Sequence, residues 1–410
     1  MFFFYEILAI TFLLFSPVIF AVRIIIGKED FNRFLEKFCI YKKYNKNQTI
    51  WFHGASVGEI MSILPIIKIL EKSNKVQKIL LTSTTTSSAS VVKKIKFRKT
   101  EHVYFPIDEN YLTNKFLEFW KPKVAIFIDS EIWPNMIENL KRKNIPIVLI
   151  NGRITPKSYK RWLRFPNFAK KIFSSITLAL PQNKESKIYL SKLGVKNIKI
   201  AGNLKYFGEK KTKVNSDVKR IIRDRKIFCC ASTHDNEEDL ISEAHKKVKK
   251  SINNLLTVII PRHIYRTDRI VSLLENKQLN VITRSSRNKV SKSTDIYIVD
   301  TYGEARKFYE RSNLCFVGGS LIDHGGQNPL EPVREKNYII FGPFVHNFKE
   351  VYDLLLNLKI ASKVKSLNNF CELIKKKINY NHSRKILKKF DEMGKKVLKN
   401  NIYEINKFIQ

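Results

Sequence analysis

Two carboxylates and a lysine follow short apolar, β-branched runs closely enough to act on a ligand bound beyond them. Glu59 closes HGASVGE (His53 to Glu59), which continues the run Thr49 to His53 and leads into the helical apolar pattern Ile60, Ile63, Leu64, Ile67. Gly54 and Gly58 let the backbone approach a ligand, Ser56 can cap a helix, and a helix start offers unpaired N–H groups to an anion. A Glu in a first helical turn also has a purely structural use, complementing the helix dipole. Glu131 lies in DSEIWPN (Asp129 to Asn135), where Pro134 suits a first helical turn and Trp133 an apolar anchor. NGR (Asn151 to Arg153) and GNLK (Gly202 to Lys205) follow two more runs. Lys205 at such a point can neutralise a phosphate or a carboxylate.

The second half repeats the arrangement with ASTHDNEE (Ala231 to Glu238), PRH (Pro261 to His263), DTYGE (Asp300 to Glu304) and GGSLIDHGGQNPLEP (Gly318 to Pro332). Ser232 or Thr233 as an N-cap, with Asp235, Glu237 and Glu238 as an acidic first turn, would explain the first cluster by helix chemistry alone. Arg262 supplies a fork for a phosphate, and Asn328 and Glu331 suit ribose hydroxyls and a base. Neither GxxxxGK[ST] nor GxGxxG occurs, which disfavours P-loop hydrolysis and fingerprint-type dinucleotide binding. His234, His263, His324 and His346 lack ligand spacing, so no catalytic metal and no cofactor are expected.

These clusters need a scaffold that brings strand ends together. Short β-branched runs alternate with stretches of helical length, the signature of an α/β protein. The strand candidates are 49–53, 78–83, 102–107, 123–128, 146–150, 175–180 and 198–201, then 227–231, 255–260, 280–283, 296–299, 314–317 and 338–341. In parallel open sheets ligands bind beyond the carboxyl ends of the strands, where all of these polar clusters fall. The charged stretch 209–226 divides the two series. The expected organisation is a membrane anchor at 1–26, a basic linker at 27–48, a lobe at 49–208, a linker at 209–226, a second lobe at 227–382 and a basic helical tail at 383–410.

Residues 1–26 are almost continuously apolar, close to the roughly 20 residues that cross a bilayer. Arg23, Lys28, Arg33, Lys37, Lys42, Lys43 and Lys46 follow, so a single anchor would keep the body on the cytoplasmic side. Glu6 and Pro17 leave open a helix lying in the interface, or packed on the body, instead. With 75 Lys and Arg against 37 Asp and Glu, the net charge of +38 favours a polyanionic partner such as anionic lipid or a phosphorylated substrate. Short lysine runs such as Lys246 to Lys250 read individually as solvated helical faces. The five cysteines lack a disulfide framework and read as buried thiols in a reducing compartment.

Taken in order, HGASVGE, DSEIWPN, NGR, GNLK, STHDNEE, PRH, DTYGE and GGSL…GGQNPLEP resemble the motif series of the bacterial Kdo transferases, which transfer 3-deoxy-D-manno-octulosonic acid. The likeness runs from about Ile50 to Phe348 and includes the apolar N-terminal segment. It implies a GT-B glycosyltransferase fold, two Rossmann-like lobes with parallel sheets, plus an N-terminal membrane-anchor helix. It implies Glu59 as general base, with Glu131 and Lys205 stabilising the transition state. Pro261, Arg262, Tyr302, Gly303, Glu304, Asn328, Pro329, Leu330 and Glu331 would contact CMP. The implied reaction moves Kdo from CMP-Kdo, with inversion, to a primary hydroxyl of lipid IVA, the acylated, phosphorylated lipid A precursor, in lipopolysaccharide core biosynthesis. The implied place is the cytoplasmic face of the inner membrane, against anionic lipid. Asp129 stands where the family commonly has Glu, Asn236 where it has Gly, Tyr302 where it has Met and Gln327 where it has His; the last two bear on nucleotide contacts. Two alternatives remain. One keeps the fold but uses another nucleotide sugar, such as a UDP-sugar, and another lipid-linked acceptor. The other is a membrane-tethered nucleic-acid-binding protein, suggested by the charge but lacking a nucleic-acid module, so nucleic acid is not an expected partner.

Overall fold

The computed structural model describes residues 2–41, 47–207, 218, 222, 225–381 and 384–409. They form two units, residues 1–209 with 392–410, and residues 210–391. The expected linker at 209–226 lies almost wholly outside the described residues, as does part of the basic linker at 27–48.

The first unit is built on six parallel strands, β1 (Thr49–His53), β2 (Ile79–Ser83), β3 (Thr100–Tyr104), β4 (Pro122–Ile128), β5 (Ile147–Gly152) and β6 (Leu178–Pro181). Their order is β3-β2-β1-β4-β5-β6. Parallel neighbours need crossover connections, and the intervening helices cover both faces, so every residue of β1, β2, β5 and β6 is buried. Alternation of side chains along the strands sorts them into two cores. Trp51 and Phe127 join Phe116 and Trp120 on one face, while Phe52 and Ile126 join Ile60 and Ile63 on the other. The strand order reverses between β1 and β4, which makes their carboxyl ends the natural place for a site.

Helix α1 (Phe2–Ile25) is long and apolar enough to cross a membrane. It is also docked on the body along much of its length. Phe2 meets the Phe168 ring, the Tyr5 hydroxyl donates to Asp108 at 2.7 Å, and Phe20 packs on Phe34 and Phe38. Pro17 lacks the N–H that would reach the Leu13 carbonyl, and the Ser16 hydroxyl takes its place at 2.7 Å. The helix Arg384–Asn406 returns Val397, Leu398 and Ile405 to the second of the two cores.

The second unit carries seven parallel strands, β7 (Lys226–Thr233), β8 (Leu255–Pro261), β9 (Val281–Thr283), β10 (Ile296–Ile298), β11 (Leu314–Val317), β12 (Tyr338–Phe341) and β13 (Ala361–Lys363). Their order is β13-β12-β11-β7-β8-β10-β9, with the reversal between β7 and β11. Cys229, Cys230 and Cys315 lie inside this sheet, and all five cysteines are free and buried.

Two strand assignments differ from expectation. Residues 198–201 form no strand; only Ile198 bridges to Ala179, because Lys199 and Ile200 face solvent and Gly202, at φ +91°, turns the chain away. Strand β13 escaped notice because three residues with one buried side chain leave no readable pattern.

Candidate functional site

Strand β1 ends at His53, and α2 (Val57–Leu70) begins four residues later with Ser56 as its N-cap. Ser56 and Glu59 form a reciprocal capping box. The Ser56 hydroxyl oxygen accepts from the Glu59 N–H, and the Glu59 carboxylate accepts from the Ser56 N–H, both at 3.4 Å. Glu59 Oε2 also accepts from the Ala55 N–H at 2.7 Å and Oε1 from the Ser56 hydroxyl at 2.8 Å. Glu59 thus closes the helix start while its carboxylate is held in a fixed pose. Burial and the negative charges of Glu131 and Asp129 outweigh the Ser56 and Ala55 bonds, and its pKa is pushed up to about 6. Such a carboxylate is ionised at pH 7 yet more basic than a free one.

Glu131 follows β4 and is treated in the opposite way. Burial would raise its pKa, but donation from His53, the favourable charge of that ring and donation from Trp133 outweigh it and hold the carboxyl below its ordinary range. The Trp133 indole N–H reaches Oε2 at 2.9 Å and His53 Nε2 lies 3.3 Å from the same oxygen. His53 is itself fixed. It is fully buried, stacked on Phe105 at a ring separation of 4.0 Å, and its Nδ1 is 2.9 Å from the Thr82 hydroxyl on the neighbouring strand. His53 and Thr82 are register partners of β1 and β2, and the Trp51 indole N–H donates to the same hydroxyl at 2.9 Å. Two carboxylates in one another's field, one raised and one lowered, are arranged so that they could divide the roles of proton acceptor and anion.

Lys205 joins the group through Asp129. Its Nζ donates to Asp129 Oδ2 at 3.1 Å, and the Asn151 amide donates to the other Asp129 oxygen. Asn151 in turn accepts from the Leu204 N–H at 2.9 Å, tying the GNLK turn to the end of β5. Asp129 and Asn151 adopt left-handed backbone, φ +56° and +53°, which Asp and Asn tolerate better than most residues. Glu59, Glu131 and Lys205 therefore gather beyond β1, β4 and β5. Asp129, Asn151, Trp133 and His53 complete the cluster. Each of these four was visible in a motif, but their roles depend on pairing between strands far apart in the chain.

In the second unit the helix Glu237–Lys249 starts from Asn236, at φ +71°, so neither Ser232 nor Thr233 is its cap and Asp235 is outside its first turn. The reason is that β7 keeps pairing with β8 through Thr233. The acids of ASTHDNEE are engaged. Buried Glu237 accepts from the backbone N–H groups of His234 (2.9 Å), Gly319 (2.8 Å), Ser320 (3.0 Å) and Leu321 (2.9 Å), joining the loops after β7 and β11. Glu238 and Arg266 form a bidentate pair at 3.0 Å. The close approach of these loops requires Gly318, where a Cβ would sit 2.4 Å from the Ser232 carbonyl oxygen.

Of the nine positions implied for CMP, Pro261 ends β8 and Arg262 follows it, Tyr302, Gly303 and Glu304 follow β10, and Asn328, Pro329, Leu330 and Glu331 lead from the loop after β11 into a short helix. Pro261 is buried and Arg262 exposed, its guanidinium without a partner among the described residues. Tyr302 is 78% exposed, and Gly303, at φ +81°, has open space where a Cβ would stand. Glu304 is occupied. It accepts from Arg284 at 2.9 and 3.1 Å, from Lys307 at 2.6 Å and from the Thr301 hydroxyl, and these push its pKa down to about 2, Arg284 most of all. Asn328 accepts from the Leu330 N–H at 3.1 Å, Pro329 and Leu330 are buried, and Glu331 is exposed in the first turn of the short helix Leu330–Arg334. Among the described residues no cluster of His, Cys, Asp or Glu is arranged to hold a metal ion.

A family profile described as 3-deoxy-D-manno-octulosonic-acid transferase (kdotransferase) matches residues 32–207. The chain is 32% identical over 400 residues to the 3-deoxy-D-manno-octulosonic acid transferase of Rickettsia bellii (strain RML369-C), covering 96% of this chain and 94% of that protein. It is 32% identical over 329 residues to the protein of the same name from Haemophilus influenzae, covering 78% of this chain and 76% of that one. Among solved structures, the UDP-GlcNAc 2-epimerase of Neisseria meningitidis bound to UDP-GlcNAc superposes with a TM-score of 0.58 at 12% identity, over 88% of this chain and 99% of the other. The glycotransferase of kitacinnamycin gives 0.54 at 10% identity, over 89% and 100%. At these identities the likeness is one of fold, and the fold is GT-B.

Proposed function

Because the chain belongs to the Kdo transferase family of glycosyltransferases, we propose that it moves Kdo from CMP-Kdo to lipid IVA, with inversion and with Glu59 as general base. The observation that carries this reading is the pair Glu59 and Glu131 beyond β1 and β4, with one pKa raised and the other lowered. Glu59 takes the proton of a primary hydroxyl as its oxygen attacks the anomeric carbon of Kdo. The bond from that carbon to the phosphate oxygen breaks, and CMP leaves with the electron pair. Glu131, kept ionised by His53 and Trp133, stabilises positive charge that builds on the sugar. Lys205 pairs with Asp129 and presents a cation beside the same strand ends.

We assign the acceptor to the first unit and CMP to the second. Arg262, exposed and without a partner among the described residues, suits the phosphate, while exposed Tyr302 and Glu331 suit the nucleoside. Glu304 acts from within its Arg284 and Lys307 pairing, shaping the loop that Gly303 opens. The membrane reading rests on α1. Docked along one face, it leaves Phe3, Phe4, Leu14 and Phe15 between 61% and 74% exposed, which suits a helix lying in the interface of the inner membrane. Basic residues behind it would hold the body to anionic lipid on the cytoplasmic side.

The test is to supply the purified chain with CMP-Kdo and a tetra-acylated, bisphosphorylated glucosamine disaccharide and to follow the acceptor by mass spectrometry. Adducts at the mass of Kdo are expected and count the sugars added. No adduct from a folded chain that binds CMP would remove this acceptor, and absence of CMP binding would remove the donor.

A further inference from the structure

We propose that a crevice between α1 and the body of the first unit holds one acyl chain of the acceptor, so that the unit that deprotonates the sugar also grips the lipid. This rests on the reading of the chain as a transferase acting on a lipid-linked sugar. The crevice measures about 600 Å³, with Leu8, Ala9 and Phe12 of α1 on one side and Phe105, Ile107 and Trp133 of the body on the other. Its size is that of a small-ligand site, roughly 300–1,000 Å³. Its charged margins are already satisfied. Arg23 and Lys37 both meet the Glu29 carboxylate, at 3.1 and 2.8 Å. Asp108 accepts from the Tyr5 hydroxyl at 2.7 Å and from the N–H groups of Asn135 and Met136 at 3.1 and 2.8 Å. A phosphate would find both cations of the crevice engaged, whereas a hydrocarbon chain would meet rings and methyl groups.

Two continuities identify the occupant. Leu8 and Phe12 line the crevice yet are 67% and 44% exposed, so it opens onto the apolar face of α1 that would meet lipid. On its inner side, Trp133 donates to Glu131 at 2.9 Å and Phe105 stacks on His53 at 4.0 Å. A chain entering from the lipid side therefore ends one side chain away from the catalytic carboxylates. An acylated acceptor needs that arrangement, with its tail on the membrane side and its hydroxyl at the strand ends.

The experiment fills the crevice and compares two acceptors, the tetra-acylated disaccharide and its fully deacylated counterpart. Ala9→Trp is expected to raise KM for the acylated acceptor about tenfold and to change kcat/KM for the deacylated one by less than about twofold, because the two lesions remove the same contact. Ala9→Leu, a smaller filling, carries the same comparison at lower amplitude if the tryptophan variant does not fold. An equal loss with both acceptors would mean that the crevice only supports α1 or holds bulk lipid, and would overturn the proposal. So would no change with either. If wild type modifies neither acceptor, the lipid IVA reading on which the proposal rests fails, an outcome separate from these.

Discussion

At the scale of single residues, environment assigns different work to chemically identical groups. Glu59 and Glu131 are both half-buried glutamates at strand ends, but burial and the charges of Glu131 and Asp129 prevail at the first, whereas donors from His53 and Trp133 prevail at the second. The acidic limb of the kcat/KM profile should therefore show an apparent pKa of about 6, because protonating Glu59 removes the base. Glu131→Gln takes away a charge that raises Glu59, so the limb should move to lower pH while kcat falls. A limb that stays in place would contradict the coupling. The letters of both motifs were legible in the sequence, and so was the dual use of a Glu in a first helical turn. The pairings were not. Asp129 with Asn151 and Lys205 brings together β4, β5 and the GNLK turn, and no local pattern announces contacts across such distances.

At the scale of elements, both sheets reverse their order at the place where the polar clusters collect, β1 against β4 and β7 against β11. Fully buried parallel strands read as apolar runs, so β11 (Leu314–Val317) and β12 (Tyr338–Phe341) could be delimited from sequence to the residue. Residues 198–201 imitated such a run but have little to pair with beyond one bridge. The acidic cluster after β7 misled for another reason: Glu237 looks like a helix-dipole residue, yet it ties down a loop more than 80 positions onward through Gly319, Ser320 and Leu321. Glu237→Gln can accept at one oxygen only and brings an N–H₂ among donors. It should lower stability by about 2–4 kcal/mol in urea unfolding. The same variant should weaken CMP binding measured by calorimetry, since the loop after β11 leads to Asn328 and Glu331. Wild-type stability and affinity would sink the idea that this carboxylate organises the nucleotide side.

At the scale of the whole molecule, the charge of +38 and the exposed apolar face of α1 both suit the partner we propose, an anionic lipid surface. Sedimentation with vesicles of anionic phospholipid should retain the chain at low salt and release part of it as salt rises, while neutral vesicles retain less. Replacing Phe4, Leu14 and Phe15 by serine should abolish vesicle binding without lowering transfer to a deacylated acceptor in solution. Binding unchanged by these substitutions would move the membrane contact elsewhere. Composition made this tendency legible, and Glu6 and Pro17 left room for a helix packed on the body, but its partners Phe168, Asp108 and Phe38 were not legible, because an apolar helix looks alike whether its partner is lipid or protein.

The central claim is that Glu59 takes the proton, and Glu59→Gln isolates it. Glutamine at this position can still accept from the Ala55 and Ser56 N–H groups and complete the capping box, so the fold should survive while the base is lost. With saturating CMP-Kdo and acylated disaccharide, we expect kcat to fall by roughly 10²- to 10⁴-fold with an unchanged melting temperature and unchanged CMP affinity. A folded Glu59→Gln chain that transfers Kdo within about tenfold of wild type would contradict the account, because a general base typically contributes about 10²-fold or more.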